Sequence, residues 1–240
     1  MPTRPLQKRR EDIFFLVFVL LILTANFIGF ARTYYLAGIF RAPLPSLLVH
    51  IHGALFTSWL LLLLLQTSLV LTGRIRWHRQ LGVLGAVIAG LMLIVGPLVL
   101  VAALRRPAYS FTRASLIFAA DIGGLTLFAL FVASGLRLRI NSSVHKRLML
   151  FATIAILPPG LSRWSFPFME SSFAFFGIYL AFPLAIIIYD LFSARKIYRV
   201  TLLCSVLLTV YIFGVGYLAD TSLWHHLTQS IQNNSSLENH

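Results

Sequence analysis

Seven uninterrupted apolar blocks, each long enough to cross a bilayer as a helix, set the limits on what this chain can fold into. They cover residues 13–36, 46–72, 82–104, 113–137, 147–163, 172–192 and 199–218. A hydrocarbon core of about 30 Å takes roughly 20 helical residues to span. Inside it every backbone N–H and C=O must be bonded within the protein, which a helix achieves alone. A soluble domain would distribute its apolar residues over amphipathic periods, whereas here 58% of the residues are hydrophobic and only 11% charged, and the apolar ones run together. The expected fold class is therefore all-α, a polytopic membrane protein of seven transmembrane helices. Residues 1–220 should form one bundle and residues 221–240 a polar extracytoplasmic tail.

The joints carry the punctuation such helices need. Pro43 and Pro45 precede the second block, Gly73 closes it, Arg105-Arg106-Pro107 closes the third, and Trp164 and Pro167 follow the fifth. Arg4, Lys8, Arg9 and Arg10 before the first block imitate a signal peptide, but the apolar run is too long and lacks a small-residue cleavage site, so an uncleaved anchor is expected.

The basic residues set the orientation. With the N-terminus cytoplasmic, fourteen of the 20 Lys and Arg fall inside. They are the tail, then Arg74, Arg76 and Arg79, then Arg137, Arg139, Lys146 and Arg147, then Arg195, Lys196 and Arg199. Six fall outside: Arg32, Arg41, Arg105, Arg106, Arg113 and Arg163. The positive-inside rule then gives N-in, C-out. The net charge of +13 is accounted for by loops that meet the lipid bilayer and its anionic cytoplasmic leaflet, with no call for nucleic acid. Cys204 stands alone in the last block and reads as a small packing residue, and the Asn-x-Ser triplets at Asn141 and Asn234 carry no weight.

One internal echo is visible. GRIRWHRQLG between the second and third blocks and GLRLRINSSVHKRLM between the fourth and fifth both read Gly, Arg-x-Arg, then His followed by a base. The two helix pairs are either related hairpins or convergent positive-inside loops, and His78 and His145 read as groups at helix ends or on lipid phosphate.

Ionisable groups inside apolar spans are costly, so each asks for a partner or a cavity. His50 and His52 sit roughly 6–9 Å below the outer surface, and Asp121 roughly 12 Å, at 1.5 Å per helical residue. Arg163 ends the fifth block on the same side, which places four such side chains in one outer layer. Two histidines at i and i+2 point about 200° apart, so they cannot share one metal on a regular helix. Steps of seven from His52 reach Trp59 and Gln66, a polar stripe expected to face the bundle. His50 shares its side with Gly53 and Thr57 and should meet a neighbouring helix or loop.

The functional reading is an outward-opening polar pocket of His52, Asp121 and Arg163, with His50, Trp59 and Gln66. The alternative is a structural knot in which Asp121 and Arg163 pair and nothing binds. Further in, Asp190 lies eleven residues after Tyr179 and seven after Pro183 on one helix face, a candidate proton or solute path unless Asp190 pairs with Arg195 or Lys196. After the last block, His225 and His226 could fold over the mouth and add imidazoles to His50 or His52 for a transition metal or haem iron. Gly85, Gly96-Pro97, Gly123-Gly124 and Pro158-Pro159-Gly160 are expected to serve close approach and kinks.

Rhodopsin, progestin and adiponectin receptor, and cytochrome b561 types do not fit. The last block lacks a retinal lysine and any histidine, and paired intramembrane histidines on other helices are absent. HIHG at 50–53, Gln66, HRQLG at 78–82 and the later HKRLM at 145–149 together resemble bacterial multi-pass membrane proteins of no assigned activity, a resemblance that implies a bacterial inner membrane. The expected function is a membrane-embedded binding or redox protein whose pocket takes a metal, haem, quinone or small polar ligand. An accessory subunit packed on other membrane proteins comes second, and a small-solute transporter third.

Overall fold

A computed structural model describes residues 6–43, 45–105 and 110–237, so Arg4, Arg106 and Pro107 lie outside the described residues. Every regular element among the described residues is helical. In chain order they are α1 (Leu6–Phe30), continued by a wider π turn over Ala31–Tyr35, then α2 (Leu47–Leu71), α3 (Ile75–Leu104) and α4 (Phe111–Arg137). After these come α5 (Ser142–Ala155), a single-turn α6 (Pro158–Leu161), α7 (Ser172–Tyr189) with a π turn at Asp190–Ala194, α8 (Arg199–Ala219) and α9 (Ser222–Leu237). Six helices, α1 to α4, α7 and α8, are long and apolar enough to cross a membrane, which makes the chain a multi-pass membrane protein.

The fifth block departs from a continuous spanning helix. α5 stops after 14 residues, about 21 Å. Pro158 and Pro159 supply no N–H, so the bonds that would continue α5 are missing, and the chain turns at Ile156-Leu157 and restarts with proline in the first turn of α6. α5 is also the most enclosed element, set against α1, α4, α7 and α8. Leu148, Leu150, Phe151, Ala152, Thr153, Ile154 and Ala155 are all buried, so the second half of α5 is enclosed on every side.

Contacts with α1 show how far the α5–α6 unit reaches. Lys146 at its start lies 2.8 Å from Glu11, and at the other end Gly160 meets Asn26 and Gly29. Trp164, just beyond α6, donates to the carbonyl of Ala25 at 2.9 Å. A side chain on Gly29 would collide with the Gly160 backbone, so both glycines are needed for this crossing.

The remaining helices are wrapped around this centre. α2 with α3 and α4 with α5 form antiparallel hairpins, and α8 closes on α4. α3 exposes Val83, Val87, Leu91, Ile94 and Leu98, a helical stripe suited to lipid. It begins at Ile75, seven residues before the apolar block, because a 30-residue helix is about 45 Å long and can carry Arg76, Trp77 and Arg79 beyond the hydrocarbon. The segment expected to be a polar tail is mostly the helix α9, which packs back on α3, α4 and α8. Trp224 donates to the Ser115 carbonyl at 3.2 Å and lies 4.8 Å from the Phe118 ring, while Thr228 is buried.

Candidate functional site

The outer layer draws on α2, α4 and the end of α6. His52 is half-buried with its ring 4.2 Å from Phe56, and its Nδ1 is enclosed without a hydrogen-bond partner among the described residues. Arg163 lies at the same end of the bundle, just beyond α6. Arg163 itself is exposed, donates to the Pro159 carbonyl and stacks 4.7 Å over the Phe30 ring. Next to Asp121, Tyr211 of α8 donates to the Ala120 carbonyl at 2.7 Å, bringing a phenol into the same neighbourhood. A shallow cavity of about 400 Å³ opens on either side of Arg163 in sequence, lined by Ser162, Trp164, Ser165, Phe166, Pro167 and Met169. His52 and Asp121 are not among its walls.

His50 parts company with His52, as their spacing requires. It is exposed, its ring lies 5.6 Å from Tyr34, and the Tyr34 hydroxyl donates to its carbonyl at 3.3 Å. A Cβ on Gly53 would come within 2.5 Å of the Tyr34 ring, and Tyr35 bonds Thr57 at 2.8 Å, so this side of α2 is the seat of the α1–α2 connection. The other side, His52, Trp59 and Gln66, turns inward. Trp59 is buried and donates its indole N–H to Thr153 at 3.1 Å, a structural tie between α2 and α5. Gln66, two turns further in, has an enclosed Oε1 with no partner among the described residues.

At the other end of the bundle a dense ion network takes up Asp190. Its partner is Arg147, which sequence reading assigned only to topology, and neither Arg195 nor Lys196 takes that role. Arg147 Nε reaches both carboxylate oxygens at 3.2 and 3.3 Å and its Nη2 bonds Oδ1 more closely. Thr201 donates to Oδ2 at 2.6 Å and the Tyr198 N–H at 3.4 Å. Arg147 also bonds Glu11 at 3.3 Å and the Ser143 carbonyl at 2.8 Å, and stacks 3.8 Å over Tyr198. This is a satisfied clamp joining α1, α5, α7 and α8. Tyr179, about 16 Å along α7 from Asp190, is fully buried with a hydroxyl lacking a partner among the described residues. Buried Pro183 and Ile186 lie between them.

His225 sits 5.1 Å from Phe111 at the start of α4, and His226 is exposed on α9. Among the described residues no three His, Cys, Asp or Glu side chains gather as a metal site. Comparison with protein-family models, with curated proteins and with solved structures finds no match to this chain.

Proposed function

We propose that this multi-pass protein crosses a bacterial cytoplasmic membrane seven times, N-terminus inside, and binds a small ligand at its outer mouth through His52, Asp121 and Arg163. The seventh crossing is the α5–α6 unit. Its 20 residues from Ser142 to Leu161 amount to about 30 Å and run the length of α1 from Glu11 to Gly29. Orientation rests on the fourteen-to-six distribution of basic residues, and the bacterial inner membrane on the HIHG and HRQLG resemblance.

The observation that carries the binding reading is that His52, on the inward side of α2 near the outer mouth, keeps an enclosed ring nitrogen with no partner among the described residues. A buried polar atom left unbonded costs about 1–3 kcal/mol, which a ligand can relieve. Arg163 suits an anionic or carbonyl oxygen, His52 a hydrogen bond or proton, and Asp121 accepts a proton from the same molecule. A quinone head group or small acid meets these demands better than a cation, which Arg163 repels.

The test is the content of the detergent-purified chain. Its absorption spectrum is recorded, and the small molecules released on denaturation are quantified by mass spectrometry for wild type, His52→Ala and Asp121→Asn. We expect one species near stoichiometric in wild type and reduced at least tenfold in both variants at unchanged yield. Equal content in all three overturns the site. A Soret band lost in His52→Ala would replace the ligand class with haem.

A further inference from the structure

We infer that His78 and His145 bind a single cuprous ion where the α2–α3 and α4–α5 hairpins meet, at the end of the bundle opposite His52.

The argument begins with tautomers. His145 Nδ1 lies 2.8 Å from the Gly135 carbonyl, and a carbonyl can only accept, so Nδ1 carries the proton and Nε2 keeps a lone pair. The His78 ring faces that of His145, and its Nδ1 is left enclosed with no partner among the described residues. Gln66 Oε1 is enclosed and unpartnered as well. His145 thus donates one N–H to a backbone carbonyl, the arrangement that orients metal-bound imidazoles and raises their basicity.

The spacing fits one shared ion. The two rings stand 6.3 Å apart between centroids, 83° between planes. With metal–nitrogen bonds of about 2.0 Å, two imidazoles on one ion have centroids about 5–6.5 Å apart, the longer value belonging to a nearly linear pair. Linear coordination by two neutral donors is a cuprous preference. Charge points the same way, since Arg76 and Arg79 flank His78 in the sequence, so a monovalent ion is opposed less than a divalent one. The repeated Arg-x-Arg…His pattern gains a function here, because each hairpin contributes one imidazole.

The full chain, carried on a tag without histidine, is loaded with copper under ascorbate, desalted and assayed for metal. Wild type should retain about one copper per chain, with an absorption edge and imidazole scattering typical of two-nitrogen Cu(I). His78→Gln/His145→Gln should retain at least tenfold less, because the glutamines keep a polar side chain at each position while the imidazoles are gone. A thermal unfolding midpoint close to wild type would show that the double variant is folded. Retention of copper by the double variant, or none by wild type, overturns the proposal. Loss of copper in His52→Ala alone would move the metal to the outer layer, whereas failure of the outer ligand test leaves this result standing.

Discussion

Arg147 is a guanidinium with almost no exposure, tolerated because each of its faces is occupied: Asp190 in front, Glu11 and the Ser143 carbonyl at its edge, Tyr198 beneath. Removing one member of such a pair strands the other, and the usual cost is about 3–5 kcal/mol. Arg147→Met should therefore lower the thermal unfolding midpoint in detergent sharply, while Arg147→Met/Asp190→Leu, which removes both charges, should recover much of the loss. An unchanged midpoint in the single variant would show that the clamp carries no stability. Asp190 was legible as a residue needing a base, but its partner was not, since Arg195 and Lys196 are near in sequence and Arg147 is 43 positions away. Only the neighbour relation of α5 and α7 decides between them, and no periodicity encodes that. Position in the block did not single it out, since Arg113 and Arg199 likewise begin apolar blocks. The outer site was more legible. The angle between i and i+2 separates His50 from His52, and a step of seven puts Trp59 and Gln66 on the inward side with His52.

At the scale of elements, the contact between α1 and α6 depends on what is missing. Gly29 and Gly160 bring two backbones together, and any side chain on Gly29 meets the Gly160 carbonyl group. Overfilling a close-packed contact costs about 1–3 kcal/mol, and here it would push the end of α6, and Arg163 with it, away from His52 and Asp121. Gly29→Leu should thus reduce both thermal stability and the outer ligand content. Gly177→Ala, where a Cβ meets nothing within 4 Å, should leave both unchanged. If Gly29→Leu retains full ligand content, α6 does not position the outer layer. Hydropathy runs the fifth block straight through Pro158-Pro159, where the prolines predict a kink and the helix instead breaks, because an apolar window counts proline at its side-chain value and is blind to its absent N–H. The late start expected for α3 has a related cause, since a helix can outrun the hydrocarbon at no cost in backbone bonding and hydropathy marks only its apolar part.

For the whole molecule, the position of the α5–α6 unit decides the topology. If it crosses, the connection carrying Ser165 lies on the outer side, α7 returns inward, and α9 ends outside. If it only enters and returns, the chain has six crossings and everything after Ser162 is inverted. Residue charge separates the two, because inversion would put Arg195, Lys196 and Arg199 outside against the positive-inside rule. The inner ion clamp agrees, since it ties Asp190 and Thr201 to Glu11 near the start of α1 and so sets the α7–α8 turn at the end where the chain begins. In a Cys204→Ser background, Arg139→Cys, Ser165→Cys and Ser230→Cys give one reporter on each segment in question. A membrane-impermeant thiol reagent applied to intact cells should label Ser165→Cys and Ser230→Cys and reach Arg139→Cys only after permeabilisation. Labelling of Arg139→Cys in intact cells would reverse the orientation. Protection of Ser165→Cys until permeabilisation would mean that α5 and α6 do not cross, and the three groups proposed to share a ligand would then have no outer mouth at which to meet it.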